Sequence, residues 1–146
     1  MPSRRTFLQT AAASAAMLVP SITRRAIANP VKENKMPIVV STWQHGLAAN
    51  DAAWKVLSTG GRAFDAVEQG VRVPEADPAV TSVGYGGLPD RDGHVTLDAC
   101  IMDEHGMCGS VAALEHIMLP ISVARIVMEL TSHVMLVGEG ALQFAL

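Results

Sequence analysis

A glycine-rich segment at residues 82–93 constrains the fold of this chain more than any other feature of its sequence. It reads Ser-Val-Gly-Tyr-Gly-Gly-Leu-Pro-Asp-Arg-Asp-Gly, and residues 95–102, Val-Thr-Leu-Asp-Ala-Cys-Ile-Met, follow almost at once. Glycine adopts positive φ angles without a Cβ penalty, so we expect tight backbone reversals at Gly84, Gly86 and Gly87. The second run begins by alternating apolar and polar residues, which predicts a strand. The middle of the chain is therefore expected to turn sharply and enter a β-sheet.

The rest of the sequence predicts helices and strands in a mixed order. In chain order we expect a strand at residues 38–42, helices at 48–58 and 63–73, a hairpin of 95–102 with 107–114, a helix at 120–130, a strand at 133–137 and a helix from 139 onward. Pro74 is expected to end the second helix and Pro120 to open the third. Helices segregated from a largely antiparallel sheet indicate an α+β fold.

Two short apolar runs, at residues 37–40 and 134–137, show no alternation of polarity. Such runs are typical of strands that are buried on both faces, and 49% of the chain is hydrophobic. Burial on both faces needs partner layers, and the expected helices are too few to build them. The chain is therefore expected to form part of a larger fold.

Two cysteines flank the expected hairpin turn at residues 103–106. With a two-residue loop, Cys108 lies opposite Ile101, and the sulfurs of Cys100 and Cys108 point to opposite faces because side chains alternate along a strand. A bulge that shifts the register by one would bring them together. A protein that completes its core in a reducing compartment favours two buried free thiols. His105 and Cys108 supply two of the four ligands that zinc prefers, so no metal is indicated.

Residues 1–28 have the pattern of a bacterial export signal. Ser-Arg-Arg-Thr-Phe-Leu-Gln at residues 3–9 matches a twin-arginine pattern, an apolar run follows at 11–19, and Ala-Ile-Ala at 26–28 offers a small-x-small cleavage site. The apolar run is shorter than the roughly 20 residues that span a bilayer, which argues against a single-pass anchor. We expect a mature chain of residues 29–146 that is exported folded and is periplasmic or secreted.

The charge of the chain excludes one class of partner. Four of its 11 basic residues and none of its 14 acidic residues lie in residues 1–28, so the remainder carries 7 basic and 14 acidic side chains. Phosphate backbones are bound by Lys and Arg, so nucleic acid is not expected as a partner. A membrane surface is not expected either once the leader is removed.

Several motifs together resemble the α-subunit of the glycosylasparaginases. They occur in the family's order across residues 36–146: Pro-Ile-Val-Val-Ser-Thr-Trp at 37–43, Ala-Trp-Lys-Val-Leu-Ser-Thr-Gly-Gly at 53–61, Asp-Ala-Val-Glu at 65–68, the glycine-rich segment, Pro-Ile-Ser-Val-Ala-Arg at 120–125 and His-Val-Met-Leu-Val-Gly-Glu-Gly-Ala at 133–141. The resemblance implies an N-terminal-nucleophile amidohydrolase without a cofactor. Its reaction splits the amide bond between a sugar amine and the side chain of asparagine.

The resemblance also implies parts that this sequence does not contain. In the family a precursor cuts itself, and the newly exposed threonine becomes the nucleophile with its own amine as general base. No Asp-Thr pair occurs here, so the nucleophilic Thr is expected beyond Leu146 and no catalytic residue within the chain. The implied fold is a four-layer αββα sandwich, of which this chain supplies about half. The implied partners are the β-subunit of the same precursor, a second αβ pair in a dimer of heterodimers, and a glycosyl-asparagine substrate.

Trp43 and His45 are the candidate substrate-binding residues. The resemblance places Trp43 in the sugar-asparagine pocket, where an indole packs against the ligand and donates its N–H; a core tryptophan is the alternative. His45 stands near a position where the family usually has phenylalanine, and a solvated turn histidine is its alternative. Ser82 resembles a serine that supports the nucleophile, although serines before glycine turns are commonly local caps. Asp98 lies mid-strand and needs a partner if it is buried.

Two classes of function are compatible with these features. The first is the N-terminal part of an amidohydrolase, inactive by itself because the nucleophile is missing. The second is a non-enzymatic exported protein, either a remnant or a small interaction domain that uses the exposed half-sandwich.

Overall fold

The computed structural model describes residues 36–146. The expected export signal at residues 1–28 and the boundary at residue 29 lie outside the described part of the chain. No helix within residues 36–146 has the length and apolar character needed to cross a membrane. The elements are helices α1 (Gly46–Leu57), α2 (Ala63–Ala76), α3 (Pro120–Leu130) and α4 (Gly138–Ala145), strands β1 (Leu97–Met102), β2 (Cys108–Leu114) and β3 (Met135–Val137), and a 3₁₀ turn at Gly84–Gly86.

Helices α1 and α2 pack against each other, and a glycine ends α1. Gly60 has a φ of 81° and the N–H of Gly61 donates to the carbonyl of Val56 at 3.0 Å, which satisfies the end of α1. The two helices approach closely at Gly70, where an added Cβ would lie 2.9 Å from the carbonyl oxygen of Ala49. A side chain at this position would therefore push the helices apart.

The prediction that Pro74 ends α2 is wrong, because the helix continues to Ala76. Proline lacks the N–H that would donate one turn back, but the loss of a single bond in the last turn is tolerated. The N–H of Asp77 donates to the carbonyl of Pro74 at 3.3 Å and closes the helix there. As a result, Glu75 lies inside the helix instead of in a loop.

The strand expected at residues 38–42 does not form. Within residues 36–146, the sheet consists of β1, β2 and β3 alone. A strand needs a neighbouring backbone to satisfy its N–H and C=O groups. Ile38 and Val40 are exposed, with 84% of Val40 accessible. The expectation that this apolar run is buried on both faces is therefore wrong for the described residues.

The three strands form a mixed sheet in the order β1-β2-β3. β1 and β2 pair antiparallel, whereas β2 and β3 pair parallel and are connected through α3. The expectation of a largely antiparallel sheet is thus half right: the hairpin is antiparallel, and the crossover makes β3 parallel to β2. The described residues form a mixed helix-and-sheet fold compatible with the α+β class.

The hairpin turn has three residues in its loop, and the predicted two-residue loop is wrong. The N–H of Asp103 donates to the carbonyl of Met107 at 2.9 Å, and Gly106 has a φ of 80°. This is a type I turn followed by a left-handed residue, a common three-residue hairpin. The extra residue shifts the register by one, so that Met102, and not Ile101, lies opposite Cys108.

The shifted register places Cys100 and Cys108 on the same face of the sheet. Residues opposite each other share a face, and so do residues two apart on one strand. The alternative of a one-residue shift therefore applies, and the opposite faces expected for a two-residue loop are wrong. Both thiols are free as predicted, but Cys100 is exposed and Cys108 half-buried, so the prediction of burial is wrong.

The core lies between α3 and one face of the sheet. Its buried members are Phe64, Ile101, Val111, Leu114, Ile121, Val123, Ala124, Val127 and Ala141. Gly109 allows β2 and α3 to approach closely, because a Cβ at this position would lie 2.7 Å from Met128 and collide with the backbone of Ala124. The backbone of α3 therefore rests directly on the central strand.

The opposite face of the sheet is open to solvent and apolar. Met102, Met135 and Val137 project from it, each more than half exposed. The expectation that the run at residues 134–137 is buried on both faces is therefore wrong: Val134, Met135 and Val137 are exposed, and Leu136 is only partly buried. We call the surface formed by Cys100, Met102, Cys108, Met135 and Val137 the open sheet face.

Candidate functional site

A cleft of about 280 Å³ lies where the segment before α1, the end of α2 and the edge strand β1 meet. Trp43 and His45 line one side, Glu75 lines the second, and Asp98 and Cys100 of β1 line the third. Two of the three residues singled out from the sequence therefore share one cleft. Its walls combine an aromatic ring, an imidazole, a buried carboxyl group and an exposed thiol.

Trp43 is positioned by the turn that leads into α1. The N–H of Gly46 donates to the carbonyl of Trp43 at 2.9 Å, so the tryptophan precedes the helix by one turn. Its side chain is 72% exposed, which excludes the alternative of a core tryptophan within the described residues. An exposed indole at the mouth of a cleft offers a flat apolar surface and one N–H donor to a ligand.

His45 occupies the position just before α1 and is half-buried. The helix begins at Gly46, where a Cβ would collide with the side chain of Ser41. This close approach holds residues 41–45 against the start of α1, where this segment borders the cleft. His45 is therefore part of the cleft wall and less exposed than a solvated turn histidine.

Ser82 is exposed and does not line this cleft, whereas its neighbour Val83 does. It precedes Gly84, whose φ is 57° and whose added Cβ would collide with the backbone of Glu75. The predicted reversal at Gly84 is confirmed, and it packs the glycine turn against the end of α2. Gly86 and Gly87 do not have positive φ, so the prediction for them is wrong; at Gly86 a Cβ would meet the backbone of residues 78–80.

Glu75 is the residue of the cleft that the sequence reasoning missed. Its side chain is almost fully buried, with the residue 3% exposed, and its Oε1 accepts the N–H of Ile121 at 3.1 Å. Burial raises the pKa of Glu75 to about 8, although the Ile121 hydrogen bond and the charge of Arg72 act in the opposite direction. The carboxyl group is therefore mostly protonated at neutral pH.

A signal for this burial was present in the spacing of α2. Phe64, Glu68, Val71 and Glu75 follow each other at intervals of four, three and four residues, which places them on one helical stripe. Val67, one residue before Glu68, is 46% exposed. The two glutamates, not Val67, complete the stripe that faces α3.

Glu68, the second glutamate, fastens α2 to α3 through charged groups. It accepts a hydrogen bond from Ser122 Oγ at 2.7 Å and one from Arg125 Nη1 at 2.8 Å. Arg125 also pairs with Asp65 and Glu129 and lies over the ring of Phe64. Burial disfavours the charge of Arg125, but its hydrogen bonds raise its pKa above the usual range. This network supports the wall of the cleft without entering it.

The carboxylate of Asp98 accepts a hydrogen bond from the backbone. Its Oδ1 accepts the N–H of Ala113 at 2.8 Å, at the irregular step in the pairing of β1 with β2. Ala113 has a φ of 50°, a left-handed conformation that is unfavourable for any residue with a Cβ. Asp98 therefore stabilises a strained strand step beside the cleft.

No group of three His, Cys, Asp or Glu side chains within residues 36–146 has the geometry of a metal site. The groups that line the cleft suit the binding of an organic molecule better than the binding of a metal ion. They present hydrogen-bond donors and acceptors beside an indole, an arrangement that binds and orients an organic ligand with polar substituents. The chain thus combines a mixed helix-and-sheet scaffold with a cleft, lined by polar and aromatic side chains, at the edge of its sheet.

Comparisons with known proteins show the family to which the chain is similar. A family model described as Asparaginase matches residues 19–146. The N(4)-(Beta-N-acetylglucosaminyl)-L-asparaginase of Elizabethkingia miricola is 70% identical over 115 residues, which are 79% of this chain and 34% of that protein. The N(4)-(Beta-N-acetylglucosaminyl)-L-asparaginase of Rattus norvegicus is 47% identical over 113 residues, 77% of this chain and 32% of that protein.

A plant relative has a different described activity. The "Probable isoaspartyl peptidase/L-asparaginase 3" of Arabidopsis thaliana is 40% identical over 134 residues, 91% of this chain and 37% of that protein. The chain spans about a third of the length of the curated relatives it matches. It belongs to the asparaginase family that includes the glycosylasparaginases.

Proposed function

We propose that this chain is the N-terminal part of an amidohydrolase that cleaves the amide bond of N-acetylglucosaminyl-asparagine to aspartate and the amino sugar. The observation that carries the proposal is the 70% identity to a protein named for that substrate, across a segment that includes the cleft. The reaction needs a nucleophile, which we assign to a threonine exposed by self-cleavage outside this sequence. No cofactor takes part in the proposed reaction.

Within the cleft, Trp43 and His45 bind the substrate. The exposed indole packs against the ligand, and the imidazole of His45 contributes a donor or an acceptor beside it. Glu75 stands behind them as a mostly neutral carboxyl group that fixes the end of α2 against α3. Ser82, next to the cleft residue Val83, supports the threonine segment.

The open sheet face gives the proposed partner its docking surface. Met102, Met135 and Val137 leave apolar side chains in water on a face that a second sheet would cover in an αββα sandwich. We assign that second sheet to the β-subunit of the same precursor. Two such αβ pairs form the proposed dimer of heterodimers, and the leader directs the protein to the periplasm or out of the cell.

The proposed function is tested with a chimera of the Elizabethkingia relative in which the aligned segment is replaced by this chain. We expect the chimera to release aspartate from N-acetylglucosaminyl-asparagine, because the exchanged segments are 70% identical. The 146-residue chain alone is expected to release none. An inactive but folded and self-cleaved chimera contradicts the proposal and favours the non-enzymatic alternative. Aspartate release by the isolated chain also contradicts it, because the nucleophile would then lie within this sequence.

Two tryptophans provide a matched pair of variants for the same assay. Trp43→Ala removes the indole from the cleft, whereas Trp54→Ala removes a partly exposed indole from α1 that does not line it. We expect Trp43→Ala to lower kcat/KM by about 10–100-fold, from the loss of an aromatic contact that bound substrate would cover, worth about 1.4–3 kcal/mol. Equal effects of the two changes would show that Trp43 has no special role.

A further inference from the structure

A second cavity, of about 470 Å³, borders the glycine turn next to Val83, which lines the cleft. Gly84 and Tyr85 form one wall, and His94, Glu115 and His116 form another. Its volume is in the range of small-molecule sites. The proposed hydrolysis uses none of these side chains, so the cavity is available for another task.

Two histidines converge on a single carboxylate in this cavity. His94 Nδ1 lies 3.2 Å from Glu115 Oε2, and His116 Nε2 lies 3.6 Å from the same oxygen. His116 has a φ of 60°, an unfavourable backbone conformation for a residue with a Cβ. Strained backbone of this kind is found often at ligand sites, where the surrounding structure holds a side chain in a defined place.

The cavity combines these polar groups with an apolar floor. Val95, Leu97, Ile117 and Met118 line the floor, and the ring of Tyr85, which is largely exposed, stands at its edge. Imidazole and carboxylate are common metal ligands, but the cluster lacks the geometry of a metal site. The cavity therefore fits an organic ligand that has an apolar face and several hydroxyl groups.

We propose that this cavity binds a sugar unit of a neutral oligosaccharide. A pyranose ring has an apolar face that packs on tyrosine, and its hydroxyl groups both donate to Glu115 and accept from His94 or His116. The inference rests on the proposed function in one respect: Val83 borders the cleft and Gly84 borders the cavity, so the glycan of a glycosyl-asparagine extends toward Tyr85.

The experiment uses the full 146-residue chain, immobilised so that it cannot self-associate, and chitotriose as the probe. We expect saturable binding with a Kd on the order of 1 mM, measured by surface plasmon resonance. Tyr85→Ala and Glu115→Gln should each weaken binding by about tenfold. His105→Ala, at the exposed tip of the hairpin, is the matched control and should leave the Kd unchanged.

The outcomes separate this inference from the proposed hydrolysis. Chitotriose contains no asparagine, so its binding does not depend on the nucleophile or on the chimera's activity. The absence of saturable binding, or equal binding by the Tyr85→Ala, Glu115→Gln and unchanged chains, overturns the inference. Loss of binding in Trp43→Ala, with Tyr85→Ala unaffected, would overturn it too, because the sugar would then occupy the cleft. Circular dichroism checks that each variant is folded.

Discussion

The buried carboxyl group of Glu75 makes a specific prediction about stability and pH. Its pKa is about 8 in the folded chain and 4.5 as the reference value for the unfolded chain. Below pH 4.5 the group is protonated in both states. Between pH 4.5 and 8 the unfolded chain releases the proton while the folded chain keeps it, so the free energy of unfolding falls as pH rises.

The size of the effect follows from the shift. Each unit of pKa difference corresponds to about 1.36 kcal/mol, so the contribution of Glu75 decreases by at most about 5 kcal/mol across this interval. Glu75→Gln removes the titration but keeps an oxygen that accepts the N–H of Ile121. We therefore expect the variant and the unchanged chain to have similar stability at pH 4, and the variant to be more stable at pH 9.

The assay is urea unfolding followed by tryptophan fluorescence at pH 4, 7 and 9, at protein concentrations where the midpoint does not depend on concentration. Glu139→Gln is the control, because Glu139 is exposed on α4. The difference between the Glu75→Gln and unchanged chains should grow steadily from pH 4 to pH 9. A constant difference would refute the reasoning, since it would mean that the folded chain does not hold this proton.

Four further predictions address the packing, the open sheet face and the leader. Gly109→Ala should destabilise the chain by about 1–3 kcal/mol in urea unfolding, because its Cβ collides with α3. Ala113→Gly should stabilise it by up to about 1 kcal/mol in the same assay, because glycine relieves the positive φ. Val137→Lys should reduce self-association in sedimentation velocity, since a charge interrupts the apolar face. Replacing Arg4 and Arg5 by lysine should leave the precursor in the cytoplasm, as fractionation would show.

The sequence predicted the elements that depend on local chemistry. The bounds of α3 were predicted because Pro120 suits a first helical turn, and the end of α1 because Gly60 accepts a left-handed conformation. The sharp turn at Gly84 followed from the same property of glycine. These features are encoded by one or two residues at a time, so neighbouring sequence is sufficient to read them.

The errors arose where a distant contact decides the structure. The strand expected at residues 38–42 lacks a partner, which no property of its own residues reveals. Likewise, one extra loop residue before Met107 reversed the expected orientation of Cys108. Glu75 was missed because its burial depends on the amide of Ile121, 46 residues away. Trp43 and His45 line one cleft, and their role in binding stays a prediction.

The hydrogen bond from Ile121 to Glu75 also makes one backbone amide an internal probe of the cleft. The carboxyl group forms part of the cleft wall, and the amide that it binds belongs to the second residue of α3, which lines the same cleft. The chemical shift of that amide proton should therefore follow the ionisation of Glu75, and it should move again when a ligand alters the environment of the carboxyl group. A single backbone resonance would thus report proton occupancy and cleft occupancy in the same spectrum.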